Sequence, residues 1–170
     1  MEVNKIISHA LQSMPPSKRQ KAFAKDTSKL IHMGLNENNY GMSPKAVAAL
    51  EDSMAGSHFY PDFAAVLLKQ KVAEQYGLKA ENVLTGAGSS AMIDMIGLTF
   101  LDEGDEVLFS APTYGAFADM AYLNGGVPVS VPVTEEQKFN LPAMKEKIGE
   151  KTKIVVICNC LLYTSDAADD

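Results

Sequence analysis

A glycine-rich turn, Thr85-Gly86-Ala87-Gly88-Ser89-Ser90-Ala91, separates a short β-type run from a strongly apolar helical run. This arrangement restricts the chain more than any other segment does. A turn that passes straight into a helix start leaves backbone N–H groups unpaired and places the positive end of the helix dipole beside them, which is how a backbone holds a phosphate. The glycines let the backbone come close to such a group.

The flanking segments alternate between helical and extended patterns. Ser43-Pro44 reads as the cap and first position of a helix with Val47, Leu50 and Met54 on one face, closed by Gly56. Asp62 is expected to cap a second helix, with Phe63, Val66, Leu67 and Tyr76 facing inward and Gly77 ending it. Glu81 to Thr85 reads as a strand, and Met92 to Phe100 as a buried helix. Asp102 to Asp105 is a turn into a strand from Glu106 to Ser110, and a helix is expected from Tyr114 to Leu123. Pro128 and Pro132 confine the extended run Val127 to Val133 to a sheet edge. Asn140-Leu141-Pro142 opens another helix, and the β-branched run Ile154 to Cys158 reads as a fully buried strand. Strands alternating with helices imply an α/β fold, a mostly parallel sheet covered on both faces. Ahead of it, Val3, Ile6, Ile7, Ala10, Leu11 and Met14 recur at helical spacing up to Pro15-Pro16, which predicts a helical arm whose stripe needs cover.

The net charge of −6 gives no electrostatic case for a nucleic-acid partner. No apolar run approaches membrane-spanning length, so no membrane segment is expected. Cys158 and Cys160 have neither a metal-site spacing nor a disulfide framework, and the cytoplasm is the expected compartment. His9, His32 and His58 have no companions at ligand spacing, so no metal site is expected. Arg19 is the only arginine, which excludes a bidentate guanidinium clamp elsewhere in the chain. Gly86-Ala87-Gly88-Ser89-Ser90-Ala91 also fits a dinucleotide-binding fingerprint, the rival reading of a Rossmann oxidoreductase. That fold needs an acid at the end of the next strand, where this chain reads Phe109-Ser110-Ala111-Pro112.

Six segments in order carry a family resemblance: Leu35-Asn36-Glu37-Asn38-Asn39-Tyr40-Gly41, Tyr60-Pro61-Asp62, Gly86-Ala87-Gly88-Ser89-Ser90, Leu101 to Val107, Ala111-Pro112-Thr113-Tyr114 and Lys153 to Asn159. From about Leu35 to Asn159 the chain resembles the class I/II aminotransferases of the fold-type-I, pyridoxal-phosphate-dependent group. Within that group it is most similar to the histidinol-phosphate aminotransferases. Asn39 stands where the family commonly has proline, and Ser90-Ala91 replaces the usual acidic pair after the glycine turn.

The resemblance implies an incomplete large domain of that fold and a pyridoxal 5'-phosphate cofactor. It assigns Gly88, Ser89 and Ser90 to the cofactor's phosphate, Tyr114 to its ring, and Tyr60 to the same phosphate from the other subunit of a homodimer. Asn36 and Tyr40 would line the substrate entrance. The residues alone leave other roles open: helix caps for Ser89 and Ser90, a half-buried aromatic for Tyr114, and turn residues for Tyr60 and Asn36.

The implied reaction passes an amino group from an amino donor to a 2-oxo acid, here L-histidinol phosphate and 2-oxoglutarate. Aromatic amino-acid aminotransferases and threonine-phosphate decarboxylases share the same opening motifs. The family's Schiff-base lysine, the acid for the pyridinium nitrogen and the carboxylate-clamping arginine are expected beyond this chain, so no catalytic residue is assigned within it and the polypeptide alone is expected to be inactive. Residues 160–170 resemble a translated transposase-type DNA-sequencing adapter and are expected to be a non-native tail. The expected organisation is an arm and entrance segment over 1–40, the first part of the cofactor-binding domain over 41–159, and that tail. Apolar faces meant for absent strands are expected to be exposed.

Overall fold

Six residues, Glu106–Ala111 (β1), form the middle strand of a three-stranded parallel sheet, with Val127–Pro132 (β2) on one side and Thr152–Val156 (β3) on the other. In this computed structural model residues 7–15 and 38–159 are described. The helices are α1 (His9–Ser13), α2 (Pro44–Ser53), α3 (Val66–Tyr76), α4 (Gly88–Phe100), α5 (Ala116–Leu123) and α6 (Leu141–Lys147). The chain divides into two compact units, Met1–Pro16 with Thr85–Asp170, and Ser17–Leu84.

In the first unit, β1 alternates its side chains between two apolar clusters because successive residues of a strand point to opposite faces. Val107 and Phe109 pack with Leu101, Met120 and Ala121, with Ile93 of α4 and Phe117 of α5 against them. Leu108 packs on the other face with Val131 of β2 and Met144 of α6. Helices therefore cover both faces, as the alternating pattern predicted. α1 lies against α5, and Ile7, Ala10 and Met14 are half-buried, so part of the N-terminal stripe finds its cover within this unit.

The prolines place β2 as expected. It is an edge strand in the order β2-β1-β3, where missing N–H groups break no central ladder. Asn140 caps α6 by accepting the N–H of Ala143 at 3.2 Å. The Asp102 to Asp105 turn closes with the N–H of Gly104, at φ +84°, donating to the Gly125 carbonyl. A side chain on Gly126 would sit 2.8 Å from the Asp105 carbonyl oxygen, so this approach requires glycine.

In the second unit, Ser43 caps α2 through the N–H of Ala46, and Gly77 ends α3 at φ +64°. Asp62 accepts the N–H groups of Ala64 and Val66, so it caps the entry to α3, which begins only at Val66.

Four expectations are corrected. Glu81 to Thr85 is not a strand: Ala80–Asn82 is a 3-10 turn, and no neighbouring strand among the described residues supplies a ladder for Val83 to Thr85. The run from Ile154 is not fully buried, because among the described residues β3 pairs on one side only; Val155 is 45% exposed and Ile157, just past the strand, 52%. Phe63, Val66, Leu67 and Tyr76 are exposed rather than inward-facing, since among the described residues of their unit no layer lies over them and Ala73 is the one buried residue of α3. The apolar face of α4 is likewise covered only in part: Gly97 is buried and Ile93 meets the core, while Met95, Ile96, Leu98 and Phe100 are exposed.

Candidate functional site

The turn that opens α4 has the backbone its sequence demands. Gly88 lies at φ +80°, where a side chain is strained, and its N–H donates to the Gly86 carbonyl at 2.8 Å. Ala87 occupies the cap position and supplies no side-chain hydrogen bond. The N–H groups of the first helical turn have no carbonyl one turn back, and the cap residue Ala87 offers no side-chain acceptor in its place. Ser89 and Ser90 are both exposed beside them. Neither serine serves the cap, so the alternative of plain helix-capping side chains is not what the geometry shows.

Tyr114 comes to the same place from the other end of β1. It follows Ala111 and a cis Ala111–Pro112 peptide, and its hydroxyl lies 3.0 Å from Ser90 Oγ. That contact puts the N-terminus of α4 at the C-terminal end of β1, the side of an α/β sheet where ligands bind. Phe117, one turn further on, meets the Tyr114 ring edge to face, with centroids 6.0 Å apart and planes at 90°. Sequence reasoning did not assign Phe117 a part in the site; an aromatic pair spaced i, i+3 across a helix start was the available signal.

The structure thus brings together Gly88, Ser89, Ser90 and Tyr114. Tyr60 and Tyr40 belong to the second unit and are described there alone. Tyr60 is 89% exposed and stacks at a tilt on Phe63, with centroids 5.6 Å apart. Tyr40 is fully exposed; its N–H donates to Asn38 Oδ1, in a turn that Asn38 closes by donating to the Gly41 carbonyl. Asn36 lies outside the described residues.

Charged groups concentrate at the opposite end of the sheet. Asp105 accepts the N–H of Asp102 at 2.9 Å and pairs with Lys153 Nζ at 3.3 Å. The Asp102 N–H holds the Asp105 carboxyl below its ordinary value of 3.8; partial burial opposes this, and Lys153 adds to the lowering. Lys153 is therefore a sheet-stabilising residue at the N-terminal end of β3. Among the described residues no group of three His, Cys, Asp or Glu could hold a metal ion, and no helix is long and apolar enough to cross a membrane.

A parallel sheet with helices on both faces and a glycine-rich turn at its C-terminal edge define an α/β domain. The family of aminotransferase class I and II matches residues 28–164, and the chain belongs to that family. It is 32% identical over 124 residues to histidinol-phosphate aminotransferase 2 of Carboxydothermus hydrogenoformans, covering 73% of this chain and 34% of that protein. It is 35% identical over 124 residues to an aromatic amino acid aminotransferase of Corynebacterium glutamicum, covering 73% of this chain and 36% of the other. Among solved structures, the histidinol-phosphate aminotransferase of Sinorhizobium meliloti in complex with pyridoxal-5'-phosphate superposes with a TM-score of 0.73 at 23% identity, over 86% of this chain and 40% of that one. The chain spans about a third of the length of these curated relatives. Membership of this family removes the rival reading of a Rossmann oxidoreductase, in keeping with the missing acid after β1.

Proposed function

We propose that this chain contributes the phosphate-holding part of a pyridoxal-phosphate-dependent transaminase that passes the amino group of L-histidinol phosphate to 2-oxoglutarate. The observation that carries the reading is the convergence of the Gly88-Ser89-Ser90 turn and Tyr114 at one edge of the sheet.

The residues present fit the cofactor. A phosphate dianion requires several donors and room to approach. The first-turn N–H groups, the Ser89 hydroxyl and an exposed glycine with nothing within 4 Å of a notional Cβ supply both. Gly88, Ser89 and Ser90 would hold the phosphate, Gly88 and Ser90 through the backbone alone and Ser89 through backbone and hydroxyl. Tyr114 would offer an aromatic face to the ring, where stacking adds to burial. When bound, the cofactor supplies an electron sink for bond breaking at the amino donor. The protein's task at this end is to anchor and orient it and to keep water from one face.

Tyr60 is assigned to the same phosphate across a homodimer, supported by an exposed ring on a segment that Asp62 holds in place. Asn36 and Tyr40 are assigned to the substrate entrance on the family resemblance of their segment. The setting we propose is cytoplasmic histidine biosynthesis. An aromatic amino acid is the second reading, favoured by the Corynebacterium relative at 35% identity. An assay of the gene product carrying this sequence against a panel of amino donors with 2-oxoglutarate tests both. Turnover highest with L-histidinol phosphate supports the first reading, turnover highest with phenylalanine or tyrosine the second, and turnover with neither rejects both.

A further inference from the structure

We propose that Ser90 is a positioning residue: its hydroxyl fixes the Tyr114 ring at the cradle, and it contributes no side-chain contact to the phosphate. The inference rests on the cofactor reading above and separates the tasks of the two adjacent serines.

Three observations carry it. The Ser90 hydroxyl and the Tyr114 hydroxyl share a hydrogen bond of 3.0 Å, across 24 residues of sequence, between the first turn of α4 and the loop after β1. Ser90 stands inside α4 rather than at its cap position, which Ala87 occupies, and its hydroxyl bonds to the tyrosine. At its other end, the Tyr114 ring meets Phe117 at 90°. Ser90 at the polar tip and Phe117 along the body are thus among the contacts that hold the ring. Ser89, exposed one residue earlier, is the serine whose hydroxyl the cofactor reading assigns to the anion.

A tyrosine has two side-chain torsions to order when a ligand's ring packs on it. A hydroxyl partner and an edge-to-face neighbour restrict both beforehand, so less ordering is charged against binding. The effect acts on the ligand's ring and not on its phosphate, and the two are experimentally separable.

The test uses the full chain with Ser90→Ala, Ser90→Thr, Tyr114→Phe and the Ser90→Ala/Tyr114→Phe pair, titrated with pyridoxal phosphate, pyridoxal and inorganic phosphate. Ser90→Ala is expected to raise the dissociation constants of pyridoxal phosphate and pyridoxal roughly three- to tenfold, the worth of one ordinary hydrogen bond. Inorganic phosphate binding stays unchanged, Ser90→Thr keeps wild-type affinity, and the double variant is no weaker than either single one. Weakened inorganic phosphate binding, or additive losses in the double variant, overturns the proposal and makes the Ser90 hydroxyl a direct phosphate ligand. A second readout needs no ligand: in carbon-13 tyrosine-labelled chain, Ser90→Ala is expected to shift the Tyr114 ring signals and Ser90→Thr to leave them in place. Unmoved signals in Ser90→Ala overturn the positioning role alone. If those signals move but the wild-type chain takes up neither pyridoxal compound, the cofactor reading fails and the positioning role falls with it.

Discussion

Lys153 Nζ lies 3.3 Å from Asp105 Oδ2 because β3 carries one extra residue at that point: Glu106 pairs with Thr152 but Val107 with Ile154. The bulge re-aims the Lys153 side chain toward the turn that feeds the central strand. Next to it, Thr152 Oγ1 donates to Glu106 Oε2 at 3.3 Å. Two side-chain links therefore close the N-terminal end of the sheet, opposite the candidate site.

The lowered Asp105 value gives an acid dependence. Its folded carboxyl titrates below its ordinary value of 3.8 through the Asp102 N–H and Lys153, so its contribution is complete above that value. It is lost as pH falls through the lower folded value. Asp105→Asn is expected to lower the melting temperature at neutral pH and to flatten the loss of stability below pH 3.8, read by thermal unfolding across a pH series. An acid limb as steep as that of the wild type contradicts this assignment.

Gly97 marks the closest approach of α4 and α5. A Cβ there would lie 2.5 Å from Asn124 Nδ2 and 2.6 Å from Met120 Cγ, and Met120 is buried. Asn124 cannot swing away freely, since its Nδ2 donates to the Met120 carbonyl at 2.8 Å. Gly97→Ala is expected to cost about 1–3 kcal/mol, the usual penalty for overpacking. Denaturant unfolding followed by circular dichroism measures it; an unchanged midpoint would mean the two helices separate easily.

Gly88 separates space from backbone strain. A Cβ would meet nothing within 4 Å, yet φ is +80°. Gly88→Ala is expected to cost about 1–2 kcal/mol in the turn and to weaken phosphate binding about tenfold, whereas Gly88→Asn costs less because asparagine tolerates the left-handed region. Titration with inorganic phosphate distinguishes the two variants. Equal affinities would show that the turn's conformation does not matter to the anion.

Ile93, Ile96, Phe117 and the run Ile154 to Ile157 line an open groove of about 320 Å³ beside the edge of β3 that has no partner strand among the described residues. Exposed apolar surface next to a strand edge favours self-association. Ile157→Lys is expected to lower aggregation of the chain with little change in its far-ultraviolet spectrum, measured by light scattering. Aggregation unchanged by this charge would place the sticky surface elsewhere.

Local signals were read correctly where one residue's own chemistry decides the outcome. Ser43, Asn140 and Gly77 act as caps, the two prolines of β2 put it on an edge, and Gly104 turns the chain into β1. Burial was misread in α3 and β3, because an apolar run states what a segment can bury and not whether a neighbouring layer is there to cover it. The strand expected at Glu81 to Thr85 failed for the same reason, since a strand exists only through its partner. At the site, the turn into α4 was legible from its glycines, but the pairing of Ser90 with Tyr114 depends on the helix start and the end of β1 meeting in space. Phe117 became visible as a partner only once that ring had an orientation.

Equilibrium binding of pyridoxal phosphate to the purified, cofactor-free chain, with Ser89→Ala and Gly88→Ala alongside, tests the cradle most directly. Saturable uptake that inorganic phosphate displaces, and that either variant weakens about tenfold or more, is the predicted result. Uptake by the variants equal to that of the wild type, or none by any of them, would contradict it.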